Sequence, residues 1–351
     1  MCLAVEAGAA SNKRVTLLGL LKPFHGAWPR RLRYRVLLIV LACLLAFVVG
    51  PYLYSRAMSP SRALESAVLD SVKADDLPAN EGPGVLRIAC YNIAHGRGLA
   101  ESNWGGGTRA QREQRLDEIA ALLREVDADV VVLNECDFDA SWSHSVNQAT
   151  YLAERAAYPY VVSLRNLDFR VGFWTWRFGN AVLSRYPIAE TREIDQPGYA
   201  KWETVTAGKK RTLFCEIGVG EQRVGIAAIH LSHRSEGLRA DSAQNLVNFA
   251  KFYNHPLILA GDFNSAPSGF PGSQADLHGR NALDVIDGAG LFQRRPKQPP
   301  TDPADYTFRS DNPTRVIDWV LVSHHFVIQN YQIVDSPLSD HRPIVAEVLI
   351  K

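Results

Sequence analysis

At 351 residues, 46% hydrophobic and 21% charged, the chain has enough apolar side chain for one large core or two medium ones, which excludes disorder as the default. Its net charge of +1 excludes the strong positive field on which phosphate-backbone binding depends, so a dedicated DNA-binding surface is not indicated. The cysteines Cys2, Cys43, Cys90, Cys136 and Cys215 are an odd set without CxxC spacing and indicate neither a disulfide framework nor a zinc site; the last three sit in or beside strand-like runs, where cysteine packs as a small hydrophobe.

The first element is the apolar run VLLIVLACLLAFVVG, 36–50, which PYLY extends to 54, close to the about 20 residues that cross a bilayer. Arg30, Arg31, Arg33 and Arg35 precede it, with Lys13, Arg14 and Lys22 farther back, whereas the segment after it mixes Arg56 and Arg62 with Glu65, Asp70, Asp75 and Asp76. By the positive-inside rule the basic segment 1–35 stays cytoplasmic and the rest is exported. A cleaved signal peptide is the competing reading, disfavoured by the long basic lead and the lack of a small-x-small site; VLAC at 40–43 matches a lipoprotein box only loosely. A buried core helix would leave the arginine cluster unexplained. The expectation is an uncleaved transmembrane signal anchor, 36–54.

Residues 55–84, rich in Ser, Pro, Gly and mixed charge, read as a linker with one short helix over 63–72, and the globular domain is expected over 85–351. There VLRIACYN predicts a buried strand ending at Asn92, HGRGLAESNWGGGTRA a glycine-rich loop, and QREQRLDEIAALLREV an amphipathic helix with Leu116, Ile119, Leu122, Leu123 and Val126 at helical spacing. DADVVVLNE is then a strand carrying Glu135 at its end, so strand, crossover helix and strand bring Asn92 and Glu135 to the ends of neighbouring strands. Further strands are expected in 179–188, 211–219, 223–232, 256–265, 315–323 and 342–350. Most carry a polar residue at one end: Asn180, His230, Asp262 with Asn264, Asp318, and Asp340 with His341. Singly, each has an ordinary explanation as a turn, a cap or a satisfied core histidine. Together they are unusual, because loops at strand ends are where sites are built.

The chemistry such a set suits is phosphate-ester hydrolysis. A hard cation of the Mg²⁺ type, or Mn²⁺, takes carboxylate and amide oxygens, which Glu135, Asn92 and Asp340 offer. In-line attack also needs a base, donors for developing charge and support for the leaving oxygen, functional groups present in His341, His230, Asn264 and Asp262, with Asp318 as the carboxylate partner of His341.

The ordered motifs YNIAHG, VVLNE, GNAVLSRYPI, IHLSH, GDFN, VIDWVLVS and SDHRP resemble the endonuclease/exonuclease/phosphatase superfamily, to which pancreatic deoxyribonuclease, base-excision endonucleases, inositol-polyphosphate phosphatases and neutral sphingomyelinases belong, and YNIAHGRG with GNAVLSRYPI is similar to its bacterial metal-dependent hydrolase branch. The resemblance, over about 85–351, implies an α/β (α+β) four-layer sandwich of two mixed β-sheets flanked by helices, here preceded by one transmembrane helix. It implies Glu135 as main metal ligand and Asn92 and Asp340 as holders of metal or phosphate. Asp262 would handle the water or leaving-group proton, Asn264 and His230 would bind the phosphate, with Asn180 beside them, and His341 paired with Asp318 would stabilise its charge or act as base. Two departures are visible. Asn134 stands where glutamine is commoner, and no basic intercalating loops match the DNA-repair members.

The expected protein is therefore a bacterial inner-membrane, single-pass phosphoesterase with an exported catalytic domain. A phosphodiester is the favoured substrate: a lipid headgroup, a nucleotide or a nucleic acid. A nuclease, or a non-catalytic binding module on the same fold, is the alternative, and no protein partner is evident. FRVGFWTWRFGN, 169–180, reads as a core-covering hairpin or as an amphipathic lip beside the site. Gly105 to Gly107 with Arg97 and Arg109 read as a surface loop or a second phosphate contact.

Overall fold

Val130, Val131, Val132 and Leu133 are all buried, but they alternate between two apolar layers, and this alternation in strand after strand organises the fold. The computed structural model describes residues 29–58, 63–72, 84–198 and 208–351. Most of the basic lead and parts of the linker, 1–28, 59–62 and 73–83, lie outside the described residues.

Helix α1, Arg30–Met58, contains the apolar run. It is long and apolar enough to span a bilayer: its most apolar 18-residue stretch has a mean hydropathy of 2.8, and none of that stretch is buried.

The remainder, from residue 51 onward, contains two sheets. The first has seven strands in the order β1 (Leu64–Val68), β4 (Tyr160–Val171), β5 (Trp174–Ser184), β3 (Val130–Asp137), β2 (Val85–Asn92), β13 (Ile344–Ile350) and β12 (Phe326–Ile333). The second has six: β10 (Phe292–Arg294), β11 (Asp318–Ser323), β9 (Leu257–Asp262), β8 (Gln222–His230), β7 (Arg211–Val219) and β6 (Ile188–Asp195). Each is mixed, with one parallel pair: β2 with β3 and β8 with β9. Ile88, Val132, Ile226 and Ala260 are among the side chains between the sheets. On the outer faces, α2 (Arg109–Val126) and α3 (Gln148–Arg155) cover the first sheet, and α4 (Glu236–Phe252) and α5 (Ala282–Gly288) the second. This is the expected four-layer sandwich.

The short helix expected over 63–72 is instead β1. ALESAV has good helix formers, but the open edge of β4 offers a backbone ladder from Leu64↔Leu164 to Val68↔Tyr160, and the Glu65 carboxylate lies 2.9 Å from the Arg165 guanidinium. Part of the expected linker is thus built into the sheet. A chain beginning at residue 84 will therefore be less stable than one beginning at residue 59, by roughly 5–10 °C in Tm, and more prone to associate through the uncovered β4 edge. Thermal denaturation and light scattering on the two chains check this; equal Tm values would show that β1 adds no stability.

Candidate active site

β2 and β3 run in parallel with Asn92 opposite Asn134, which brings Glu135 to the same sheet end. Pairing of β3 with β5 slips between Leu133 and Cys136, and Glu135 has φ +49°. This bulge breaks the alternation: Asn134 and Glu135 both face the second sheet, while Cys136 falls into the outer layer with Leu133. Opposite them β9 ends in Gly261 and Asp262. Gly261 has φ +133°, and a Cβ there would lie 2.2 Å from the Ile229 carbonyl oxygen, so this close approach of β8 and β9 requires glycine. Asp262 is register partner to both His230 and Asp318.

The nine residues singled out in the sequence fall in one cluster: seven surround Asp262, directly or through one further side chain, and Asp340 joins them through Arg97 and Glu135. The Asp262 carboxylate accepts from Asn92 Nδ2 at 3.1 Å, Asn264 Nδ2 at 3.0 Å and the Asn264 amide at 2.7 Å. His341 Nδ1 lies 2.9 Å from Asp318 Oδ2, and its Nε2 lies 3.9 Å from Asp262. His230 Nε2 stands 3.8 Å from Glu135 and 3.9 Å from Asp262. Asn134 accounts for one departure from the family pattern: its side-chain oxygen accepts from the Asp262 amide at 2.8 Å and its nitrogen donates to Asn180 Oδ1 at 2.9 Å. The shorter amide spans the gap between the sheets.

Asn92 is less available than its motif suggests, because its Oδ1 already accepts from the Ala94 amide. Asn180 Nδ2 and His230 Nδ1 are buried without a hydrogen-bond partner among the described residues, an arrangement that costs free energy unless a ligand completes it.

Two further groups enter from the loop after β2: Arg97, which the sequence offered only as a loop cation or second phosphate contact, and His95, which it did not single out. Arg97 joins the two candidate metal carboxylates, at 3.4 Å from Glu135 and 2.8 Å from Asp340. His95 forms a second imidazole–carboxylate pair, with Nδ1 2.7 Å from buried Asp137 and Nε2 3.3 Å from Glu135. Their signals were the histidine of YNIAHG and the aspartate of NECD. Of the loop cations, Arg109 pairs with Glu113 along α2, away from this cluster.

The electrostatics divide the groups. Burial disfavours charge on Glu135, yet His95, His230, Arg97 and His341 hold it down at about 2. Burial, helped by Lys210, pushes His230 down to about 3, so its imidazole is neutral. Burial also opposes charge on His341, but Asp318 and then Asp262 raise it to about 10 and keep it an imidazolium. Asp262 is pushed well above the usual carboxylate range by burial and by Asp318.

Ligand atoms of Asp262, Asp318 and His341 lie within 4.8 Å of one another, but His341 Nδ1 is already paired with Asp318, and Asp262 already accepts from Asn92 and Asn264. Glu135 and Asp340, both partly exposed, fit a hard divalent cation better: two carboxylates already span one cationic group, Arg97.

Comparison with solved structures finds this fold elsewhere. An endonuclease/exonuclease/phosphatase from Beutenbergia cavernae superposes with a TM-score of 0.55 at 22% identity, covering 76% of this chain and 72% of that one. The mannosyl-6-phosphatase of Bacteroides thetaiotaomicron gives 0.53 at 16% identity, over 76% and 100%. The catalytic domain of human Nocturnin, with a bound sulfate, gives 0.52 at 15%, over 84% and 100%. No curated protein sequence matches. The sequence profile of the endonuclease/exonuclease/phosphatase family matches residues 89–341, from β2 to the histidine that Asp318 holds, and the chain belongs to that family of phosphoester hydrolases.

Proposed function

We propose that the chain is a membrane-anchored, divalent-metal-dependent phosphoesterase that hydrolyses a phosphodiester by in-line attack of water. The observation that carries this reading is the pair of unpartnered buried nitrogens, Asn180 Nδ2 and His230 Nδ1, in the same cluster as two carboxylates suited to a cation and an imidazolium that Asp318 fixes. Donors, cation site and positive charge together match the needs of a phosphoryl group.

Glu135 and Asp340 would hold Mg²⁺ or Mn²⁺, with Asn92 at its edge, and such an ion supplies charge neutralisation at a phosphate oxygen. Asn180 and neutral His230 donate to the phosphate. His341, charged at neutral pH, offsets negative charge developing on it. Asp262, held near neutrality and braced by Asn92 and Asn264, moves the proton between the attacking water and the leaving oxygen. The anchor is α1, and Arg30, Arg31, Arg33 and Arg35 at its start support a cytoplasmic N-terminus and an exported domain in a bacterial inner membrane.

The test is hydrolysis of bis-p-nitrophenyl phosphate by the detergent-solubilised full chain. Turnover is expected with Mg²⁺ or Mn²⁺ and is expected to disappear with EDTA. Turnover that survives EDTA would remove the metal from the reading, and a chain that binds Mn²⁺ without turning over would be a binding module.

A further inference from the structure

α1 does not end free of the folded domain. Ser55, in its last turns, is buried, and its hydroxyl accepts from the backbone amide of Arg170 in β4 at 2.8 Å. Arg170 lies two residues before the turn of the β4–β5 hairpin, where Phe173 is 81% and Trp174 51% exposed. Just before Ser55, α1 exposes Tyr52 and Tyr54, at 46% and 43%. Aromatic side chains gather where a spanning helix leaves the hydrocarbon, because their flat apolar bodies and polar edges suit the headgroup layer. The Ser55 bond places the hairpin tip at the level of these tyrosines. A soluble domain has no reason to leave Phe173 and Trp174 in water at the point where its chain enters a membrane.

The stem of the hairpin points back to the site. Trp174, Trp176 and Phe178 alternate along β5 and share one face. Trp176 stacks on Phe169 at 5.4 Å and on Trp142 at 6.4 Å between ring centres, and His95 packs edge-on against Trp142 at 5.9 Å and Phe178 at 4.9 Å. His95 in turn reaches Glu135. One aromatic strip thus runs from the membrane-level tip to the metal carboxylates.

We propose that the β4–β5 hairpin is a second membrane contact, with Phe173 and Trp174 seated in the headgroup layer of the bilayer that α1 spans, and that the site acts on a phosphodiester carried by a lipid in that layer. The substrate class rests on the phosphodiesterase reading above; the seating of the tip does not. In the reaction, water forms one new P–O bond, one ester P–O bond of the lipid breaks, and a water proton ends on the leaving alkoxide.

The full chain is reconstituted in vesicles of phosphatidylethanolamine and phosphatidylglycerol with headgroup label, and in matched vesicles of shallow-brominated phosphatidylcholine. Trp174→Phe is expected to lose a distinct share of the tryptophan quenching by bromine; unchanged quenching overturns the seating whether or not the protein is an enzyme. Phe173→Ser/Trp174→Ser is expected to release lipid headgroup about tenfold more slowly than the unaltered chain, with bis-p-nitrophenyl phosphate turnover unchanged. Equal lipid hydrolysis by both overturns the role of the tip. Turnover of the soluble diester or of plasmid DNA, but of no vesicle lipid, overturns the substrate class. Turnover of nothing overturns the phosphodiesterase reading and with it the substrate class, while the quenching result still stands or falls alone.

Discussion

Glu135→Gln is expected to leave the protein folded and to reduce metal-dependent diester hydrolysis by about a thousandfold, the scale on which loss of one strong electrostatic contact to the transition state is felt. The substitution keeps the side-chain volume and removes one negative charge. In the wild type, four positive or polarisable neighbours, His95, His230, Arg97 and His341, hold that carboxylate at about 2, so it stays ionised throughout the working pH range. A neutral amide leaves Asp340 as the lone carboxylate beside Arg97, and a divalent cation then competes less well with the guanidinium. The expected signature is a weaker Mn²⁺ affinity by calorimetry together with the fall in rate, at unchanged Tm. Full activity in Glu135→Gln would move the metal to other carboxylates. A fall in rate with unchanged Mn²⁺ affinity would give Glu135 a role in proton transfer instead.

How much of this was readable in the sequence depended on whether the cause was local. β2, β3, β7, β9 and β13 were legible because strands covered on both faces are continuous runs of apolar, often β-branched residues, as in VLRIACYN and VVVLNE. That the nine candidate residues would gather at one end of the sandwich was legible for a related reason: an apolar strand has no use for a terminal carboxylate or imidazole, so Asp262, Asp318 and His341 stood out. β1 was not legible, since its conformation comes from the edge of β4, about a hundred residues away in sequence, and ALESAV taken alone favours a helix. The bulge that turns Glu135 toward the second sheet leaves no mark in VVLNECD beyond the polar run itself. His95 was hidden in HGRG, and Arg97 was visible there only as a loop cation, because their partners Asp137, Glu135 and Asp340 lie on other elements. Asn134 read as a shortened glutamine. Only the gap between two sheets gives its length a meaning.

The histidine of SDHRP yields the sharpest pH prediction. His341 is buried, which by itself would lower its pKa; Asp318, at 2.9 Å from Nδ1, and Asp262 outweigh that and raise it to about 10. If the charged imidazole offsets phosphate charge, activity is present while His341 is protonated and is lost as pH rises through about 10. The same sign holds for stability: a folded-state value above the unfolded one of about 6.5 means that this pair stabilises the fold fully below that value and progressively less toward the folded-state value. Asp318→Asn removes the largest raising charge and the acceptor that fixes the Nδ1–H tautomer. The expected result is a loss of roughly a thousandfold in turnover at neutral pH. The alkaline limb of the remaining activity is expected to move down toward the ordinary histidine range. The direction of that shift separates two roles. A His341 that acted as general base would need its neutral form, and lowering its pKa would then raise the share of active enzyme near pH 7. A pH profile of Asp318→Asn whose limb moves down marks His341 as the cation facing the phosphate, and a profile that gains activity toward neutrality assigns it the proton instead.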